Sequence, residues 1–130
     1  MKQDGQLLLL MGIFYLITIS VETPILIAGL SRRHPIRKRF FAGIWLTACT
    51  YPIVWIVLQR LIADYNLYIV VAEIFAPTAE CLLFWLAFGR TEPRTRHDVA
   101  VDCIAITIAN VASFLVGVLI NLRWDVWKWV

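Results

Sequence analysis

Four stretches of this chain, at about residues 7–30, 40–61, 67–88 and 99–122, are almost free of charge. Each has the ~20 residues that a helix needs to cross the hydrocarbon core of a bilayer. A backbone group has no water partner in lipid, so a crossing segment must be a helix or a strand of a closed barrel. The run LYIVVAEIFA, from Leu67 to Ala76, lacks the alternation of a barrel strand. The expectation is an all-α membrane protein: one domain over 1–130, four transmembrane helices in an up-down bundle. Composition agrees, since 61% of residues are hydrophobic and 16% charged, against ~45–50% apolar in soluble domains. The first run begins at Gln6 and ends at Leu30. That is too long for a signal-peptide core of ~7–15 residues, and no A-x-A site follows, so it reads as a span.

Orientation follows from the cations. Arg32, Arg33, Arg37, Lys38 and Arg39 lie in the first connection and Arg90, Arg94 and Arg96 in the third, whereas Lys2, Arg60, Arg123 and Lys128 lie on the other side. The positive-inside rule puts both basic hairpins in the cytoplasm and both termini outside, as in a bacterial inner (plasma) membrane. Tyr65, Tyr68, Trp124, Trp127 and Trp129 are expected to form an outer aromatic belt, with Phe40 and Phe41 at the inner surface. The basic residues flank apolar runs rather than forming one polar face, which argues against a nucleic-acid partner and leaves the lipid bilayer as the evident one.

Acid inside the spans is the main chemical signal. Glu22, Glu73 and Glu80 lie within apolar runs, and insertion scales charge roughly 2.5–3.5 kcal/mol for an ionised residue such as Asp at a helix centre. Each is expected to face the bundle interior and to be protonated, paired or bound to a cation. Glu73 and Glu80 share one helix face, about 10.5 Å apart along the axis. Asn110, near mid-membrane, is expected to hold the glutamates or to supply a ligand oxygen. Pro24, Pro52 and Pro77 each free the carbonyl four residues back, at Ser20, Ala48 and Glu73, and backbone oxygens beside carboxylates build cation sites in transporters. Small and hydroxylic stripes mark the inward faces: Thr18, Glu22 and Gly29 on the first span, Gly43, Thr47, Thr50 and Tyr51 on the second, and Cys103, Thr107, Asn110 and Gly117 on the fourth.

Other polar residues read as structural. Asp98 is expected to be the N-cap of the fourth helix, and Asp102, one turn deeper, a partner for Arg94 or Arg96. His34 and His97 read as solvated loop residues, and Cys49, Cys81 and Cys103 as small hydrophobes without metal-ligand spacing. A metal remains open: oxygen ligands alone favour a hard ion, and recruited cysteines a softer one. No phosphate loop, nucleophile elbow, HExxH or deaminase signature occurs, no cofactor is indicated, and an enzyme is not expected. A shift of 58 residues superposes Glu22 on Glu80, Arg32 on Arg90, Pro35 on Pro93 and Ala42 on Ala100, and sets Pro52 opposite Asn110. This suggests two tandem two-helix repeats related by an axis along the membrane normal.

Together these features suggest an oligomeric transporter or channel component for a small cation or a proton-coupled solute, with Glu22, Glu73, Glu80 and Asn110 as its site. Thr50, Pro24, Pro52, Pro77 and Asp102 would support them. The alternative is a non-catalytic accessory subunit of a larger membrane complex, its acids paired with groups on the partner. In size, in its four spans and in the acid at Glu22, the chain resembles the small multidrug-resistance transporters by architecture. The second and third buried acids depart from that pattern, so drug export is not carried over.

Overall fold

The computed structural model describes residues 2–89 and 95–124, with side chains from residue 5. Among these residues there are four helices, which we number α1 (Lys2–Gly29), α2 (Ile36–Leu61), α3 (Tyr65–Phe88) and α4 (Arg96–Trp124). All four are long and apolar enough to cross a membrane, which makes the chain an integral membrane protein.

The helix ends follow local chemistry. Pro35 lacks an N–H, but its carbonyl accepts from the N–H groups of Lys38 and Arg39 at 2.9 and 3.2 Å, so α2 starts four residues before the apolar run. Asp64 caps α3 by accepting from the Leu67 N–H at 2.7 Å. Asp98 is not the N-cap of α4. The Asp98 N–H donates to Thr95 Oγ1 at 3.2 Å, and the Asp98 carboxylate accepts from the Thr95 N–H and hydroxyl at 3.2 and 2.7 Å. This is a reciprocal capping box in which Thr95 caps and Asp98 sits in the first turn. Beyond Pro52, α2 relaxes into a π-helical turn over Ile53–Leu58 before closing as α-helix at Gln59–Leu61.

α1 packs against α2 and α4, and α3 packs against the same two. Along α1 and α2 the pairs Phe14 with Trp55, Tyr15 with Tyr51, Glu22 with Thr47 and Thr23 with Gly43 step in opposite directions. So do Glu22 with Ser113, Gly29 with Ala105 and Ser31 with Asp102 on α1 and α4. Gly43 permits the closest approach, because a Cβ there would stand 2.8 Å from the Thr23 Cα.

The apolar core lies toward the basic end. Leu26, Leu30, Ala42, Leu46, Phe84, Ala105, Ile106 and Ala109 form one buried cluster, with Ile25, Trp45, Cys81, Leu83 and Phe88 packed around it. Large side chains such as Leu16, Ile74, Ile108 and Leu115 stand exposed on the outside, as lipid-facing positions require. Phe40, Phe41, Tyr65 and Trp124 are also exposed. Tyr68 is not a belt residue. It is buried, and its hydroxyl donates to the Val54 carbonyl at 3.4 Å. Trp127 and Trp129 lie outside the described residues, as do Lys128, Arg90, Pro93 and Arg94.

Candidate functional site

The half of the bundle away from the core is hollow. A cavity of about 290 Å³ is lined from all four helices, by Glu22 and Thr18 of α1, Thr47, Thr50 and Trp55 of α2, Glu73, Ala76 and Glu80 of α3, and Asn110, Ser113 and Gly117 of α4. Exposed Tyr65 and Leu122 border its mouth, at the end of the bundle where α1 starts and α4 finishes. Glu22 and Glu80 lie at its floor, each only 2% exposed, directly above Leu26, Leu46, Phe84 and Ile106. Glu80 is eight residues from the basic end of α3, about 12 Å at 1.5 Å per residue.

Each floor glutamate takes one donor from α2 and one from α4. Glu22 accepts from the hydroxyls of Thr47 and Ser113, both at 2.6 Å. Glu80 accepts from the Thr50 hydroxyl at 2.9 Å and from Asn110 Nδ2 at 2.7 Å. A second acceptor lies within reach of every one of these donors on its own helix. Thr47 reaches the Gly43 carbonyl at 3.2 Å, Thr50 the Leu46 carbonyl at 3.3 Å, and Ser113 the Asn110 carbonyl at 2.9 Å. Asn110 has two amide hydrogens and spends the second on the Ile106 carbonyl at 3.0 Å. The hydroxyls can therefore donate to an ionised carboxylate. When the carboxyl is protonated it donates to one hydroxyl, which turns to its own helix. No buried polar atom of this group loses its partner in either state.

Glu73 differs from the floor pair. It lines the cavity one level nearer the mouth, half-buried, and has no hydrogen-bond or ion-pair partner among the described residues. Above the acids the wall becomes aromatic. Phe14 and Trp55 stand 5.8 Å apart, Tyr51 and Trp55 5.8 Å, and Tyr65 and Tyr68 6.4 Å, with Phe114 closing the ring on α4.

Glu22, Glu73, Glu80, Asn110 and Thr50 thus share one cavity, but the other expected supports do not belong to it. None of the three prolines lines it. Pro24 and Pro52 are exposed, and so are Ser20 and Ala48, whose carbonyls they free. The reason is angular: each proline sits two positions beyond an inward residue, Glu22 or Thr50, which turns it about 200° away. Cys103 and Thr107 also lie elsewhere, Thr107 donating to the Cys103 carbonyl at 2.8 Å. No group of three or more His, Cys, Asp or Glu able to hold a metal ion occurs among the described residues.

Asp102 belongs to a second polar cluster below the core. One carboxylate oxygen accepts from the Ser31 N–H at 2.8 Å, and the other lies 3.0 Å from His34 Nε2. His34 is not a solvated loop residue: it is 2% exposed and packs edge-on against Phe84, with centroids 5.1 Å apart. Arg39 ties the same turn down through the carbonyls of His34 and Ile27, at 2.8 and 2.9 Å. Arg33 reaches Asp98 at 3.3 Å, and His97 is exposed as expected.

The two floor glutamates are 58 positions apart, but their partners follow a different step. Thr47 and Asn110, and likewise Thr50 and Ser113, are 63 positions apart. Buried Ala42, Gly43 and Leu46 correspond at that step to buried Ala105, Ile106 and Ala109. At the 58-residue step, by contrast, buried Ala42 falls on exposed Ala100 and exposed Pro52 on buried Asn110. No protein-family model, curated protein or solved structure matches the chain.

Proposed function

We propose that this chain is a transporter or channel component for a cation or a proton-coupled solute, with Glu22, Glu73 and Glu80 as its proton or cation sites. One observation carries the reading. Two carboxyls at the floor of a cavity are held by donors that stay satisfied whether the acids are protonated or ionised. A buried acid serving only stability needs no such reversibility, and a plain apolar contact is often as stable as a buried charge. Here a proton can leave a floor carboxyl for cavity water, or be displaced by a cation, without a hydrogen-bond partner having to be found elsewhere.

The donors, 63 positions apart around acids 58 apart, further support a tandem duplication in an up-down bundle, with five more residues in the second basic hairpin. Two like halves about an axis along the membrane normal can rock against each other. Such a rearrangement is required here, because the core fills the basic half. Passage through so narrow a bundle also favours a homo-oligomer or a larger membrane complex as the working form. The cation distribution supports an orientation with the basic hairpins in the cytoplasm and the termini outside, and the membrane proposed is a bacterial plasma membrane.

Reconstitution tests the proposal. Purified protein in liposomes with a trapped pH dye should carry proton-linked or cation-linked flux under imposed Na⁺, K⁺ and pH gradients. The triple variant Glu22→Gln, Glu73→Gln, Glu80→Gln should insert but lose that flux. Equal flux in the variant would leave the acids without the role assigned to them. An inert chain that copurifies with a partner from native membranes would favour an accessory subunit instead.

A further inference from the structure

Resting on the proton-coupled reading of the cavity, we propose that His34 and Asp102 form a second proton site at the basic end of the bundle, divided from the floor acids by the one side-chain layer that contains Phe84.

The dyad has room for one more proton. Asp102 Oδ1 accepts from the Ser31 N–H at 2.8 Å, and a backbone N–H can only donate, so the exchangeable proton lies between Oδ2 and His34 Nε2, 3.0 Å apart. That bond is filled in either tautomer of the ring. A second proton keeps it intact only by sitting at Nδ1, which is buried and has no hydrogen-bond partner among the described residues. A histidine kept for packing alone loses by leaving a buried ring nitrogen unmet, whereas one that binds and releases a proton needs it free. Uptake takes the dyad from one net negative charge to none.

Charged groups surround the dyad. Arg39 donates to the carbonyls of His34 and Ile27, Arg33 is held on Asp98 at 3.3 Å, and Lys38 lies 5.6 Å from the Phe88 ring centre. Arg32, Arg37 and His97 are exposed. From α3 the imidazole meets the rings of Phe84 and Phe88, at 5.1 and 6.4 Å, and Cys81, three residues nearer the floor, packs around the core. Glu22 and Glu80 lie across that core.

Two short routes meet at the dyad. Toward the surface, the Ser31 hydroxyl donates to the part-exposed Asp98 at 3.3 Å, so a single hydrogen-bonded residue links Asp102 to the rim. Toward the cavity, Asp102 stands eight residues from Asn110 on α4, about 12 Å along the axis, and Asn110 holds Glu80. Leu26, Leu46, Phe84 and Ile106 fill the space between. Phe84 is the member of that layer whose ring stands edge-on to His34, four residues beyond Glu80. An apolar constriction of this kind keeps water out until it parts. When Phe84 moves aside and water enters, the O–H bond of a floor carboxyl breaks, an N–H bond forms at Nδ1, and loss of that proton to water at the basic end restores the dyad.

Nitrogen NMR and proton flux test the site together. The chain has two histidines, His34 and His97, so in full-length His97→Gln in nanodiscs the ring signals are those of His34. As the pH is lowered over the range in which helical content is unchanged, Nδ1 should pass from unprotonated to protonated while Nε2 keeps its hydrogen bond. An Nδ1 that stays in one state throughout would overturn the proposal. In liposomes, His34→Gln and Asp102→Asn should each slow proton-linked flux at least about tenfold, and Phe84→Ala should raise passive proton leak at least about tenfold, in protein of unchanged helical content. Flux that persists in His34→Gln but is lost in Glu80→Gln, or a leak unchanged in Phe84→Ala, would overturn the second site and leave the floor acids in their role. An unsubstituted chain without proton-linked flux would remove both the second site and the proton-coupled reading.

Discussion

Replacing Glu80 separates its charge from its hydrogen bonds. In Glu80→Gln the amide oxygen still accepts from Asn110, and the amide N–H donates to Thr50, whose own hydrogen turns to the Leu46 carbonyl. This variant should keep its melting temperature within a few degrees. Glu80→Leu leaves the Asn110 amide facing an apolar side chain, and should lose about 1–3 kcal/mol in the same thermal melt. A melt in which Gln is as damaging as Leu would contradict the network described. These acids were legible because carboxyls are rare in apolar runs, and Asn110, Thr47 and Thr50 were legible as polar residues on inward stripes. Ser113 was not, since one serine in a fourth span is equally a packing residue. His34 was misread because a histidine among five cations looks solvated. The signal that could have found it was Asp102, an acid one turn inside a span and in need of a partner. His34→Ala should cost about 1–3 kcal/mol, and a double-mutant cycle with Asp102→Ala should show coupling. Additive losses would mean that the 3.0 Å contact contributes nothing.

The helices themselves were foreseen to within a few residues, because twenty apolar residues in lipid admit one solution. Their ends were less legible. The capping box at the start of α4 is written as Thr95, Arg96, His97, Asp98, but Asp98 alone next to an apolar run also fits a simple cap. The π-helical turn at Ile53–Leu58 directly follows Pro52, and a proline in a span equally fits a simple bend. Packing of α1 on α2 hinges on Gly43, where a methyl group would meet Thr23 backbone at 2.8 Å. Gly43→Ala should therefore destabilise the bundle by about 1–3 kcal/mol, seen as a lower melting temperature in nanodiscs. At Gly12 or Gly117, where a Cβ meets nothing within 4 Å, the same change should be close to neutral. Equal effects at Gly43 and Gly12 would show that the two helices are not in close contact there.

The molecule is divided along its length, dry at the basic end and hollow at the other. That division could not be read from composition, since each helix runs through both halves and is apolar enough as a whole to cross a membrane. It arises from side-chain size at matched levels: leucine, isoleucine and phenylalanine interlock around Ala42, Ala105 and Ala109, while hydroxyls, carboxyls and widely set rings hold the walls apart above them. The same division gives the floor acids one route to water. Accessibility of Ala76, which lines the cavity between Glu73 and Glu80, tests this most directly. With Cys49, Cys81 and Cys103 replaced by alanine, an Ala76→Cys variant in sealed vesicles of known orientation is exposed to a membrane-impermeant, charged thiol reagent. Labelling should be rapid from the face bearing the termini and at least about tenfold slower from the face bearing the basic hairpins. Labelling at equal rates from both faces, or from neither, would contradict a water-accessible carboxylate cavity sealed at one end.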